Sequence, residues 1–221
     1  MKKFFFISSF LVCINCQLIA QEQLTFGIKA GANFAYAVGD AADSDSQIGY
    51  DEGRRAFHVG FVSELKFSEN LSIQPELFYS QAGAAYRFDN RSFDGIKVES
   101  DLSIDYLSLP VLTKYYVLKG LSLEFGPQFS YVLNSKVKNE ILSSGFVSPP
   151  VNIFTDTDLK DDIHKFDLGL ALGTSYKLAT TGLFIQARYI LGLTDVPKNE
   201  SFVNSTNFRN AIFQLSLGYK F

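Results

Sequence analysis

The sequence AIFQLSLGYKF, residues Ala211 to Phe221, puts Ala211, Phe213, Leu215, Leu217, Tyr219 and Phe221 on one parity. Gln214, Ser216, Gly218 and Lys220 fall on the other. Successive side chains of a strand point to opposite faces, so this is a ribbon with one apolar and one polar side. Strands of this kind close transmembrane β-barrels, which are apolar toward lipid and polar toward the lumen. A final Phe after alternating apolar residues also resembles the signal that such barrels present to their assembly machinery, an expected partner during insertion.

Seven further segments carry the same dyad pattern: Leu24 to Tyr36, Phe57 to Phe67, Leu71 to Ser80, Leu102 to Leu118, Leu121 to Leu133, Phe166 to Leu178, and Leu183 to Leu193. Two of them depart from it. Pro75 sits on the apolar parity of the third, where a proline implies an edge or a bulge. In the fourth, the apolar positions shift from Leu102, Ile104 and Tyr106 to Leu107, Leu109 and Val111. Either a bulge near Tyr106 flips the register, or the first part lies outside the membrane.

The connections alternate in length. Ser68-Glu69-Asn70, Lys119-Gly120 and Ala179-Thr180-Thr181 read as tight turns. Gly39 to Arg54, Gly83 to Ser100, Ser135 to Asp162, and Asp195 to Asn207 are long and polar. Long connections are uncommon in compact soluble domains, whereas outer-membrane barrels have short periplasmic turns and long external loops. The fold expected is therefore all-β: an eight-stranded antiparallel transmembrane barrel with four long external loops.

Composition agrees. The 221 residues hold 22 Phe and 11 Tyr but no Trp. No run of about 18 apolar residues occurs, so no helical span is expected. Lys2 and Lys3, the apolar run Phe4 to Val12, and Ala20-Gln21 read as a secretory signal over residues 1–20, leaving 21–221 as the barrel. Cys13 and Cys16 lie inside that signal, so the CxxC spacing implies no redox or metal site in the exported chain. Without Lys2 and Lys3, 18 basic residues stand against 23 acidic ones. That balance argues against a nucleic-acid partner.

A soluble eight-stranded barrel would reverse the two faces. The polar parity favours the membrane reading, because its charges are few and of mixed sign. Glu64, Glu76, Glu124 and Asp167 would face Lys29, Lys114, Lys177 and Arg188, among many Gly, Ser and Gln. Eight strands leave an interior only wide enough for side chains, so these charges are expected to pair and plug the lumen. A narrow ion path is the alternative.

DYLSLPVLTKYY (Asp105 to Tyr116), LEFGPQFSYVLNSK (Leu123 to Lys136), FDLGLALGTSY (Phe166 to Tyr176) and LFIQARYILGLTDV (Leu183 to Val196) together resemble the PorT-like outer-membrane β-barrel proteins of the Bacteroidetes. The resemblance implies an eight-stranded outer-membrane barrel. One branch of that family assists a protein-secretion and gliding apparatus, and no catalytic or ligand-binding motif carries over.

Few residues invite chemistry. His58 falls on the lumen parity, and His164 stands near the outer rim beside Asp161 and Asp162, where a hydrolytic site would need a nucleophile in reach. Asp156, Asp158, Asp161 and Asp162 cluster in one loop, and Asp40, Asp43 and Asp45 in another, without EF-hand spacing. Solvated loop charge is the simpler reading. No catalytic, cofactor or metal residue is expected. The function expected is a membrane anchor whose external loops meet a protein partner or the medium, with outer-membrane lipid around it. A secretion accessory, a narrow channel and a rim hydrolase are the alternatives.

Overall fold

A computed structural model describes residues 24–39, 52–90, 96–143, 152–178, 181–198 and 208–221. Among the described residues there are nine strands: β1 Leu24–Gly39, β2 Glu52–Lys66, β3 Leu71–Asn90, β4 Ile96–Leu118, β5 Leu121–Ser143, β6 Asn152–Asp158, β7 Phe166–Lys177, β8 Leu183–Gly192 and β9 Phe208–Lys220. Each of β1 to β5 pairs antiparallel with the next. The ring continues through β7, β8 and β9, and β9 closes on β1. Eight strands form the wall. The ninth, β6, pairs with the outer half of β5 above it.

Alternation along each strand settles which face looks out. Phe61 is 67% exposed, Leu217 58% and Phe125 53%, whereas Lys29, Glu76 and Arg188 are at most 3% exposed. The apolar parity therefore faces outward, as a membrane barrel requires. Tyr115, Tyr176 and Tyr219 lie on that face near the short-turn end, and Tyr131 and Tyr189 toward the other. Leu107 pairs with Tyr131, eight residues along β4 from Tyr115. That separation is roughly 27 Å along a strand, or about 20 Å along the normal at a typical tilt, close to the ~25 Å apolar band of such barrels.

The irregularity near Tyr106 lies on β5 rather than in β4, and Pro75 is on no edge. The inward positions of β4 run unbroken through Leu102, Ile104, Tyr106, Ser108, Leu112 and Lys114, so no bulge flips that strand. The irregularity is on β5: Asp105 pairs with Asn134 and Tyr106 with Val132, leaving Leu133 without a partner on β4. Beyond it the inward positions of β5 change from Ser130 and Val132 to Ser135 and Val137. The apparent shift in β4 arose because the interior itself changes from polar to apolar. Pro75 is not on an edge strand. It pairs with Val111, while the β2–β3 ladder steps from Val62–Glu76 to Leu65–Ile73 past it.

Two short turns are described in full. Phe67 N–H donates to the Leu71 carbonyl at 2.9 Å, and Ser68 Oγ accepts from Leu71 N–H at 3.1 Å. Leu118 pairs with Leu121 around Lys119-Gly120, where Gly120 adopts φ 87°, a left-handed conformation. At the third turn, Ala179 and Thr180 lie outside the described residues. Much of the second and third long connections is strand, since β3 and β5 run on past the lipid belt and β6 joins them.

Candidate functional site

The barrel interior falls into three zones. Toward the outside it is an apolar cork. Ala35, Ala82, Leu102, Ile104, Val132, Ala171 and Ile190 fill it from the walls, and Leu159, Ile163 and Val196 close it from above. The cap is tied down by a bridge between Ile163 and Pro197, and by hydrogen bonds from His164 N–H to the Val196 carbonyl and from Val196 N–H to the Phe208 carbonyl, both near 3 Å. Thr194, of the GLTDV phrase, donates to Asp167 Oδ1 at 2.5 Å and accepts from Leu168 N–H at 3.0 Å. Asp167 also accepts from Asn210, whose amide reaches the Tyr106 hydroxyl.

Below the cork lies a relay of three strands. His58 on β2 meets Asn33 Oδ1 through Nδ1 at 2.7 Å and Ser216 Oγ through Nε2 at 2.8 Å. The Asn33 amide nitrogen donates to the carbonyls of Gln81 and Phe57, which fixes its oxygen toward the ring. That assigns the tautomer: Nδ1 carries the proton, and Nε2 accepts from the Ser216 hydroxyl. The order Asn–His–Ser is that of an activated serine. Here it is sealed. His58 and Asn33 are 0% exposed and Ser216 is 7%, so the arrangement ties the neighbouring strands β2, β1 and β9 together over Gly31, with which both His58 and Ser216 pair. Gly31 makes room for it, since a Cβ there would overlap the Leu215 carbonyl oxygen and lie 2.8 Å from His58 Cε1.

The innermost zone is a charged belt. Glu76 receives both terminal nitrogens of Arg188 at 2.7 and 2.9 Å, Lys29 Nζ at 2.6 Å, and Gln74 Nε2 at 2.6 Å. Glu124 receives Arg188 and Gln186 on Oε2 at 3.2 and 2.7 Å, with Lys114 3.3 Å from Oε1. Glu64 is bound by Lys220, by the Tyr116 hydroxyl, and by Ser72 at 2.7 Å. Four cations thus meet three carboxylates, all nearly sealed from solvent. Burial of this kind is tolerable only because every charge is paired.

The expected lumen charges are brought together in part. Glu64, Glu76, Glu124, Lys29, Lys114 and Arg188 share the belt. Asp167 stands apart, beneath the cork, where its partners are Thr194 and Asn210 rather than a base. Lys177 lies at the short-turn mouth and has no ion pair among the described residues. Lys220 was missed as a partner of Glu64, because parity gives facing but not the register that joins β9 to β2 through β1.

His164 is exposed, and its imidazole makes no hydrogen bond among the described residues. Asp156 and Asp158 lie on β6 opposite Lys138 and Lys136, and Asp161 offers its carbonyl to Lys198 at 2.7 Å. No group of three or more potential metal ligands occurs among the described residues. Asp40, Asp43 and Asp45 lie outside them.

Residues 19–197 match the family described as outer membrane protein beta-barrel domain. The chain belongs to that family. The match spans all the wall strands but β9. Membership in this outer membrane β-barrel family, together with the outward apolar face, places the protein in an outer membrane. Solved structures of similar shape include Ail, the attachment invasion locus protein of Yersinia pestis, in complex with the heparin analogue sucrose octasulfate. It is 14% identical, with a TM-score of 0.47 over 90% of this chain and 99% of that one. Neisserial surface protein A gives 14% identity and 0.47 over 89% and 97%. A major outer membrane protein of Thermus thermophilus gives 14% and 0.47 over 90% and 99%. No curated protein matches the chain.

Proposed function

We propose that this outer membrane β-barrel is a non-enzymatic anchor that holds an interaction surface outside the cell, with a plugged lumen. The observation that carries the reading is the β5–β6 hairpin. Strand β6 is exposed along its whole length, with Phe154 68% and Ile153 48% exposed. Among the described residues its one strand neighbour is β5. An exposed strand edge offers unpaired backbone groups to an extended segment of another protein. The cork and the belt below it support a lumen that is filled rather than conducting.

The YLSLP and RYILGLTD phrases extend the reading to the PorT-like branch of the Bacteroidetes, and residues 1–20 to a cleaved export signal. By that analogy alone, assistance to protein secretion or surface assembly is the second reading. Photo-crosslinking from Phe154 in native membranes, followed by co-purification, tests the proposal. A discrete protein adduct from Phe154, absent when the crosslinker replaces Lys66 at the opposite mouth, is expected. No adduct at Phe154, with stepwise currents from the purified protein in planar bilayers, would overturn it in favour of a channel.

A further inference from the structure

The short-turn mouth contains a cavity of about 730 Å³, within the usual range for a small-molecule site, roughly 300–1,000 Å³. Its charged lining comprises Lys66, Lys119, Lys177 and Lys220 against Glu64 and Glu69. Glu64 is already held by Lys220, Tyr116 and Ser72. Its floor is the charged belt, where cations already outnumber carboxylates. Mouth and belt together hold seven cations and four carboxylates, in a chain whose net charge is −3. The positive field is therefore local to this end.

The fold also forces two of these lysines together. Lys177 N–H donates to the Gly120 carbonyl at 2.8 Å, and Tyr176 pairs with Leu121, so Lys119 and Lys177 sit on adjoining strand ends. Among the described residues neither makes an ion pair. Lys66, across the mouth on β2, lies over the Tyr116 ring at 5.2 Å. A concave site with low-dielectric walls and an excess of one sign of charge, here four lysines against two glutamates, concentrates counter-ions. Ammonium groups without arginine forks suit phosphate as a point-charge partner.

We propose that this mouth binds a compact polyanion through phosphate groups, with Lys119 and Lys177 as its principal contacts and Lys66 opposite them. The phosphate could come from a free periplasmic molecule or from a lipid headgroup of the inner leaflet, and the experiment separates the two. The folded full chain in lauryldimethylamine-oxide micelles is titrated with sodium pyrophosphate and followed by calorimetry and amide shifts. Saturable binding that weakens with added salt is expected. Lys119→Gln with Lys177→Gln should weaken it by at least about tenfold without altering heat-modifiable migration. Lys136→Gln with Lys138→Gln, on the outer sheet, should leave it unchanged.

Repeating the titration in phosphatidylcholine nanodiscs with and without phosphatidylglycerol identifies the source. Competition by phosphatidylglycerol assigns the site to a headgroup, and its absence to a free ligand; either outcome supports the site. Non-saturable shifts, or equal affinity of the double lysine variant, would overturn it. Citrate binding as tightly as pyrophosphate would overturn the assignment to phosphate.

Discussion

Arg188 on β8 spans the lumen to Glu76 on β3, donating from both terminal nitrogens at 2.9 and 2.7 Å. Three wall strands separate β3 from β8 in either direction around the ring. The pair is therefore a diametric brace, and Lys29 and Glu124 extend it to β1 and β5.

Because the belt holds one more cation than carboxylate, its two ends should not be equally sensitive. Glu76→Gln leaves Lys29 and Arg188 facing each other without their shared anion, and should cost on the order of 3–5 kcal/mol. Arg188→Met restores numerical balance and leaves Glu76 bonded to Lys29, so it should cost less. Urea unfolding followed by heat-modifiable migration gives the order. A larger loss for Arg188→Met would mean that the surplus charge is not felt.

The outward face makes a second prediction. Leu217→Arg and Leu170→Arg place a charge in the lipid belt and should cost about 2–4 kcal/mol if near the midplane. Ser130→Arg points inward, where Ser130 meets Ser108 at 2.9 Å. It should act by crowding the lumen and prevent closure of the ring. Unchanged unfolding of both leucine variants would reverse the assignment of faces.

The Asn33–His58–Ser216 relay should behave as a structural tie. A fluorophosphonate probe should leave Ser216 unlabelled in the folded protein. Gly31→Ala should disrupt folding more than Ser216→Ala, since its Cβ would strike the Leu215 carbonyl on the paired strand. Labelling that is lost with Ser216→Ala would instead reveal a reactive serine.

The cork predicts a silent lumen. Purified protein in planar bilayers should give no stepwise current. Ile104→Ala, at a position 0% exposed, should cost about 2–5 kcal/mol and still leave the bilayer silent, because the charged belt below remains. Regular current steps from the unaltered protein would contradict a filled interior.

Strand parity made the wall legible. The eight dyad segments, their facing and the short turns at Ser68 and Lys119 follow from alternation and turn chemistry. What parity could not supply was the chemistry of the interior along the barrel axis. Leu102, Ile104 and Tyr106 point inward because the outer lumen is apolar, so their hydrophobicity imitated a register shift. Phe184 and Ile190 are inward for the same kind of reason, each filling volume among polar neighbours on its parity. The union of Lys220 with Glu64 and of His58 with Ser216 depends on the registers of β1 with β2 and β9, which no single strand encodes. Asp195 and Val196 fell in a long polar connection, yet Val196 is buried and folds back over the cork, its N–H donating to the Phe208 carbonyl.

The central claim, that alternate residues of β9 face lipid and lumen, is tested most directly by spin labels. Leu215→Cys, Ser216→Cys and Leu217→Cys, each with Cys13 and Cys16 replaced by Ser, are treated in lipid vesicles with a thiol-reactive nitroxide that partitions into lipid. The label should attach at 215 and 217, where collision with dissolved oxygen should be high and a water-soluble nickel reagent should not reach, and should fail to attach at the sealed position 216. Nickel access at 215 and 217, or the opposite alternation, would contradict the account.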